Sequence, residues 1–336
     1  MKEFKDKMVS GAADTVATAL DTGIGAGVST GMGESASSDQ TRELTFRVLA
    51  VVPLYHPSQA IWERWIRWAA GIDRLLLFDN TPEAREPAAY CPAPSGNVTY
   101  VAAGGNCGVA AAFNAAARMA ARGDCTHILT FDQDSVPPPD LAAILFRSLP
   151  VAAWPQTGLV GPQHAREDIL LVAQASVTPV ERMMSSGCLV NIEAWRAVGG
   201  YNEQFFMDHV DTDFCLKLRR ADYRVIRCNQ VVMPHRLGAS RVHVLLGRRF
   251  LVNHHPPARR YTMARNTVGL CSLYGRNFPG LRRRQTRELA GLAIKILLFE
   301  RRKGAQLIAI LRGLWDGFRG RQSLERVHAG SPHADP

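Results

Sequence analysis

From Phe46 onward the chain alternates short, continuously apolar runs with longer stretches in which apolar residues recur at helical spacing. Residues 46–52, 74–78, 98–102 and 127–131 read as buried strands, and 57–70 and 108–121 as the helices between them. Trp62, Trp65, Ile66 and Ala69 share one helical face and are core contacts. This alternation predicts an α/β architecture, a Rossmann-like, mostly parallel sheet flanked by helices. Residues 1–41 are rich in Ala, Gly, Ser, Thr and Asp and form a low-complexity tail unable to offset chain entropy by burial. Gly23-Ile-Gly-Ala-Gly27 has half the spacing of a dinucleotide fingerprint, but no strand precedes it to build a phosphate cradle. Beyond residue 150 come strands and loops, a helix whose first turn holds Asp211 and Asp213, a strand over 225–233, and a C-terminal helical region ending in a tail over 322–336.

The sharpest break in this pattern is His127-Ile-Leu-Thr-Phe-Asp-Gln-Asp-Ser135, where an apolar strand ends in two carboxylates. Such a pair repels itself and loses hydration unless it sits at a rim or around a cation. Pro137-Pro-Pro139 stops the strand, leaving Asp132, Gln133 and Asp134 where open α/β sheets bind ligands. The local pattern fits equally a helix cap at Asp132 and a solvated turn at Asp134.

Three further turns should open on that crevice: Pro53-Leu-Tyr-His56, Asp79-Asn-Thr81 and Gly104-Gly-Asn-Cys-Gly108. A carboxylate such as Asp79 can accept a base N–H, while Asn106 and the helix starting near Gly108 can meet ribose or phosphate oxygens. Together they suggest a nucleotide, although each is an ordinary turn or cap by itself. In the second half, Ser186-Gly187 offers a close backbone approach. Asp211 and Asp213 stand at a helix N-terminus expected to keep them ionised, as a general base requires. His235 follows the 225–233 strand and could ligate a metal. Arg260 and Arg265 present guanidinium forks suited to diphosphate or a polyanionic acceptor.

Composition narrows the partners. Apolar residues make up 46% and charged residues 21% of 336, enough for one large α/β domain with appendages. Seven cysteines without a Cys-x-x-Cys pair suit reduced thiols in a cytoplasmic protein. The net charge of +10 is concentrated late: residues 281–321 hold eleven Lys or Arg against three acids. Apolar stretches at 289–299 and 305–315 are too short for a bilayer, which needs roughly 20 residues. They read as amphipathic helices that lie on an anionic inner leaflet, or cover the core or a second subunit of a homo-oligomer. Nucleic acid is not the partner, since the chain has no helix-turn-helix, zinc finger or aromatic RNA-binding motif.

Taken in order, Phe78-Asp-Asn-Thr81, Asn106-x-Gly108-x-Ala110 with Asn114, Phe131-Asp-Gln-Asp-Ser135, Ser186-Gly187, Gly199-Gly-Tyr201, Asp211-Thr-Asp213, His235-x-Leu-Gly238 and Tyr261 with Arg265-Asn266 form a set. The set resembles the inverting nucleotide-sugar glycosyltransferases of family 2, most closely their bacterial rhamnosyltransferase branch. The resemblance spans roughly 46–270 and implies a GT-A domain over 42–275, followed by a basic helical region over 276–321. It implies Asp211 as catalytic base, with Asp132, Asp134 and His235 at Mg²⁺ or Mn²⁺. Pro53, Asp79, Asn106, Gly108, Asn114 and Gln133 would lie at the nucleotide, and Gly187, Asp213, Arg260 and Arg265 at acceptor or diphosphate. The Asp-Gln-Asp-Ser form points to dTDP-L-rhamnose as donor, and the acceptor would be a hydroxyl of a cell-surface glycan or lipid-linked saccharide. His56 and Val210 depart from the family pattern, which often has Asn and Glu there. A UDP-linked donor, an Asp-nucleophile phosphatase built on Asp132-x-Asp134-x-Val136, and an inactive sugar-nucleotide-binding subunit are the competing readings.

Overall fold

A computed structural model describes residues 46–82, 96–165, 171–234, 240–245 and 247–329. The proposed N-terminal tail over 1–41 lies outside these residues, as do 330–336 and His235, while residues 322–329 of the proposed C-terminal flexible tail instead continue a helix. The first three strands are β1 (Val48–Leu54), β2 (Arg74–Asp79) and β3 (Val98–Ala102); β4 (His127–Thr130), β5 (Thr157–Ala165) and β6 (Val177–Pro179) follow. With β7 (Cys188–Asn191) and β8 (Arg224–Pro234) they form one sheet of order β3-β2-β1-β4-β7-β5-β8-β6. The β3-β2-β1-β4 half and the β5/β8 pair are parallel, while β7 runs antiparallel between β4 and β5. The expected helix-flanked, mostly parallel sheet is therefore present. A separate hairpin joins β9 (Ser240–Leu245) to β10 (Arg248–Asn253).

Strand β1 shows why the apolar runs are continuous. All seven of its residues are buried. Leu49 and Val51 enter the core on one face, while Val48, Ala50, Val52 and Leu54 enter the core on the other. A strand buried on both sides reads as an unbroken run. On the first face lie α2 (Gly108–Arg122) and α5 (Val210–Arg220); on the second lie α1 (Gln59–Ala69) and α3 (Leu141–Arg147), with Trp62, Trp65 and Ala69 packed as expected. The short helix α4 (Ile192–Ala197) is capped by Asn191, whose Oδ1 accepts from Glu193 N at 2.9 Å.

After α6 (Pro257–Tyr274), the helices α7 (Leu281–Phe299) and α8 (Lys303–Ala329) are much longer than the expected apolar segments. Helix α8 lies along α6. A Cβ added at Gly313 would fall 2.2 Å from Tyr261 O, and one at Gly317 would fall 2.8 Å from Val268 Cβ, so glycine permits the close crossing. One face of α8 thus covers protein. The opposite face leaves Ile308, Leu311, Trp315 and Phe318 exposed at three- and four-residue spacing. Among the described residues no helix is long and apolar enough to cross a membrane.

Candidate active site

The register assembles the site at one edge of the sheet. Leu54 pairs with Asp79 and Asp79 with Ala102, so β1, β2 and β3 end level. Val51 pairs with Thr130, bringing the end of β4 alongside. Because β7 is antiparallel, its first residue Cys188 pairs with Thr130, which sets Ser186 and Gly187 beside the Asp132–Asp134 loop. Ser135 Oγ and Ser186 Oγ are 2.5 Å apart, and Gly187 N donates to Thr130 O at 2.6 Å.

Helix α1 fixes the acidic loop from behind. Trp65 Nε1 donates to Gln133 O at 2.9 Å and an Arg64 amine to the same oxygen at 3.2 Å, while Gln133 Oε1 accepts from Tyr55 N at 2.9 Å. Asp132 is half-buried and Asp134 exposed. Burial, together with the charges of Asp134 and Asp211, pushes the Asp132 carboxyl from 3.8 to about 6, against the opposing pull of Arg259. The same two aspartates, Asp132 and Asp211, flank the buried Cys188 thiol and help hold its pKa far up. Carboxylates almost eighty residues apart in sequence therefore converge.

Asp211 belongs to a strained segment. Phe206 (φ 62°) and His209 (φ 69°) both take left-handed backbone, which costs of order 1–3 kcal/mol each and persists only where surroundings enforce it. Here Val109 N donates to Phe206 O at 3.0 Å, Asn266 Nδ2 donates to Phe205 O at 2.7 Å and to Asp208 O at 2.8 Å, and His209 Nε2 lies 3.0 Å from Thr267 Oγ1. Asp211 then falls in the first turn of α5, where Thr212 N donates to Oδ1 at 2.7 Å. Burial nevertheless raises the Asp211 carboxyl, outweighing that hydrogen bond and the nearby His209. The helix terminus does not dominate its ionisation, contrary to the expectation from sequence that it would keep Asp211 ionised.

Several expected contacts are occupied from within the protein. Asp79 is fully buried and accepts from Thr81 N at 2.9 Å and Tyr100 Oη at 3.0 Å. Pro53 is buried in β1. The amides at the start of α2 are spent: Cys107 N on Asn80 Oδ1, Gly108 N on Asn106 Oδ1 and Val109 N on Phe206 O. This helix end is thus a joint between loops, not the open phosphate cradle anticipated. Asn114 uses both side-chain atoms internally, donating to Tyr201 O and Glu203 and accepting from Tyr201 N and Trp195 Nε1. Asp213 turns inward, where Tyr274 Oη donates to it at 2.7 Å and Lys217 Nζ lies 3.9 Å away; burial raises it to about 6. Arg260 is 2% exposed and pairs with Glu300 at 3.4 Å. Arg265 donates to Asn266 Oδ1 and Gln204 O. Asn114 and Asp213 are therefore engaged within the protein in this arrangement.

Two residues enter that sequence reasoning did not assign. Arg259, the immediate neighbour of Arg260, pairs with Asp208 at 3.2 Å and also acts on Asp132. His164, near the end of β5, sets Nε2 2.7 Å from Ser186 O. The Pro256-Pro257 helix start was the available signal for Arg259, because it fixes where α6 begins and so which arginine faces the acids.

The acids fit a hard divalent cation by their chemistry. Asp132 and Asp134 repel each other, and buried Asp208 Oδ2 has no hydrogen-bond partner. Among the described residues there is no preformed cluster of three or more His, Cys, Asp or Glu side chains for a metal. Mg²⁺-type sites use only one or two carboxylates plus water and substrate phosphate, so no such cage is required.

No known family profile matches the chain. Two crystal structures of Staphylococcus aureus TarS are similar to it. The 1–349 fragment has TM-score 0.40 and 10% identity, with coverage of 86% of this chain and 76% of that one. The other has TM-score 0.45 and 12% identity, with coverage of 85% and 53%. Over 83 residues, 25% of this chain, the sequence is 32% identical to the dTDP-rhamnosyl transferase RfbF of Shigella flexneri, and the match spans about a quarter (27%) of that relative.

Proposed function

We propose that this chain is a family 2 inverting glycosyltransferase that moves a sugar, L-rhamnose from dTDP-L-rhamnose, onto an acceptor hydroxyl of a glycan or lipid-linked saccharide. The observation that carries the reading is the meeting of Asp132, Asp134 and Asp211 at the carboxyl edge of the sheet. The short similarity to a dTDP-rhamnosyl transferase supports the donor.

In this reading Asp211 takes the proton from the acceptor hydroxyl as its oxygen attacks the anomeric carbon, and the bond from that carbon to the diphosphate oxygen breaks in the same displacement. Attack opposite the leaving group inverts the centre. A carboxyl raised by burial holds that proton better than a solvated aspartate, which strengthens the base in its ionised form. Asp132 and Asp134 would hold Mg²⁺ or Mn²⁺, which supplies charge neutralisation for the departing diphosphate. Arg259 adds a fixed positive charge to the same acidic group.

The exposed face of α8 suits an anionic leaflet. Arg312 and Arg319 lie next to its apolar stripe by helical phase, and the Arg319 guanidinium sits 4.6 Å above the Trp315 ring. That charge favours acidic lipid over a second copy of this equally basic surface.

Asp211→Asn should keep donor binding and lose transfer by a factor of about 10² to 10⁴. The assay pairs nucleotide-sugar binding by calorimetry with product formation across dTDP-rhamnose and UDP-linked sugars in Mn²⁺. Unchanged transfer in the variant removes Asp211 as base, and a clear UDP-sugar preference removes the rhamnosyl assignment.

A further inference from the structure

Beside the carboxylates, β10, α6 and α7 enclose a cavity of about 630 Å³. His209, two residues before Asp211, forms part of its wall, so the cavity and the proposed base share one strained segment. Its charged lining is mostly cationic. Arg249, Arg260, Arg287 and Lys295, the last donating to Leu251 O at 3.1 Å, line it, against a single carboxylate, Glu288, whose Oε1 is engaged by Arg182 at 3.0 Å.

Two buried groups show what is missing. Gln285 is 1% exposed and its Nε2 has no hydrogen-bond partner; Arg260 is 2% exposed and its Nε has none either. Both residues line the cavity, and a buried donor left without an acceptor makes that space suit an acceptor-rich anion. The remaining wall is aliphatic: Leu251, Leu289, Leu292 and Ile296. Along α7 this apolar character continues outward through exposed Ile294, Leu297 and Leu298.

We infer that this cavity binds the phosphate or diphosphate ester of an amphiphilic acceptor, with the unpartnered donors on the phosphate oxygens and the aliphatic wall along the chain. The inference rests on the transferase reading only for the role of acceptor; the binding site stands on the cavity itself. His209 in the cavity wall, two residues before Asp211, links this site to the proposed base.

The test measures binding to the full-length protein by calorimetry, using dodecyl phosphate, inorganic phosphate, inorganic pyrophosphate and dodecanol as probes. Dodecyl phosphate should bind most tightly. Gln285→Leu and the surface variant Arg287→Ala should each weaken it by about tenfold or more, with dTDP affinity unchanged. If dodecanol binds as well as dodecyl phosphate, or neither variant alters its affinity, the anion site is wrong. If inorganic phosphate or pyrophosphate binds as tightly as dodecyl phosphate, the amphiphile assignment is wrong. Loss of dTDP binding in the parent protein would instead count against the transferase reading, leaving the cavity result to stand alone.

Discussion

Asp132→Asn should make the protein more stable at neutral pH while removing its transfer activity. Asp132 is half-buried beside Asp134 and Asp211, and its carboxyl titrates near 6 instead of 3.8. At about 1.36 kcal/mol per pH unit, that rise corresponds to an ionisation penalty of about 3 kcal/mol. Solvent reaches part of the side chain and screens the repulsion, so about 1–2 kcal/mol is the expected gain. The sign follows from proton binding. Between about pH 4 and 6 the folded protein keeps a proton that the unfolded chain has released, so stability falls as pH rises through that window. Asparagine has no proton to lose. The two proteins should therefore unfold alike below pH 4, diverge between 4 and 6, and differ by a constant amount above 6.

Urea unfolding at pH 4, 5, 6 and 7.5 with a chelator present measures this directly. Saturating Mn²⁺ should then stabilise the parent protein more than the variant, since a ligand at a hundred times its Kd contributes about 2.7 kcal/mol to the form that binds it. A difference that does not change with pH, or a less stable asparagine variant at pH 7.5, would refute the electrostatic account of the pair.

Gly108→Ala should cost about 2 kcal/mol or more, because the residue has φ 83° and an added Cβ would fall 2.3 Å from Phe206 O; thermal melting and transfer rate should fall together, and a fully active, equally stable variant would contradict the joint. Tyr274→Phe removes the hydroxyl that Asp213 accepts, so urea unfolding should show a loss of about 1.5–3 kcal/mol with kcat per folded molecule unchanged. Since Asp213 titrates near 6, the loss should be larger at pH 7.5 than at pH 5. Trp315→Ala with Phe318→Ala should reduce flotation with vesicles containing phosphatidylglycerol but leave unfolding intact; equal flotation, or binding that is the same on neutral vesicles, argues against the leaflet.

The sheet was legible because its strands are buried on both faces, and a run such as 48–52 has no competing period. The Asp132–Asp134 loop was legible because Pro137 to Pro139 punctuate it locally. Side-chain direction was harder. Asp211 and Asp213 look alike in sequence, yet residues two apart on a helix do not share a face. One joins the acidic group and the other meets Tyr274 in the core. Arg259 and Arg260 were interchanged for the related reason that a shift of one residue turns a helix by about 100°. Asn114 and Asp79 were read as ligand contacts because polar residues at a crevice suggest one, while their partners, Tyr201 and Tyr100, lie far away in the chain.

Those internal partners change what the recurrent asparagines and glycines mean. Asn80 and Asn106 fix the start of α2, Gly108 lets that start approach Phe206 O, and Asn266 grips Phe205 and Asp208 from α6. The start of α2, itself held by Asn80, and helix α6 thus both grip residues 205–209, the two strained positions of which no local preference would sustain. The consequence reaches the chemistry through geometry. Asp211 lies in the first turn of α5 directly after the clamped segment, so the carboxylate of the proposed base is aimed by groups that need never touch its substrates. A motif can then mark a site while most of its members act by holding one carboxylate, here that of the proposed base, in place.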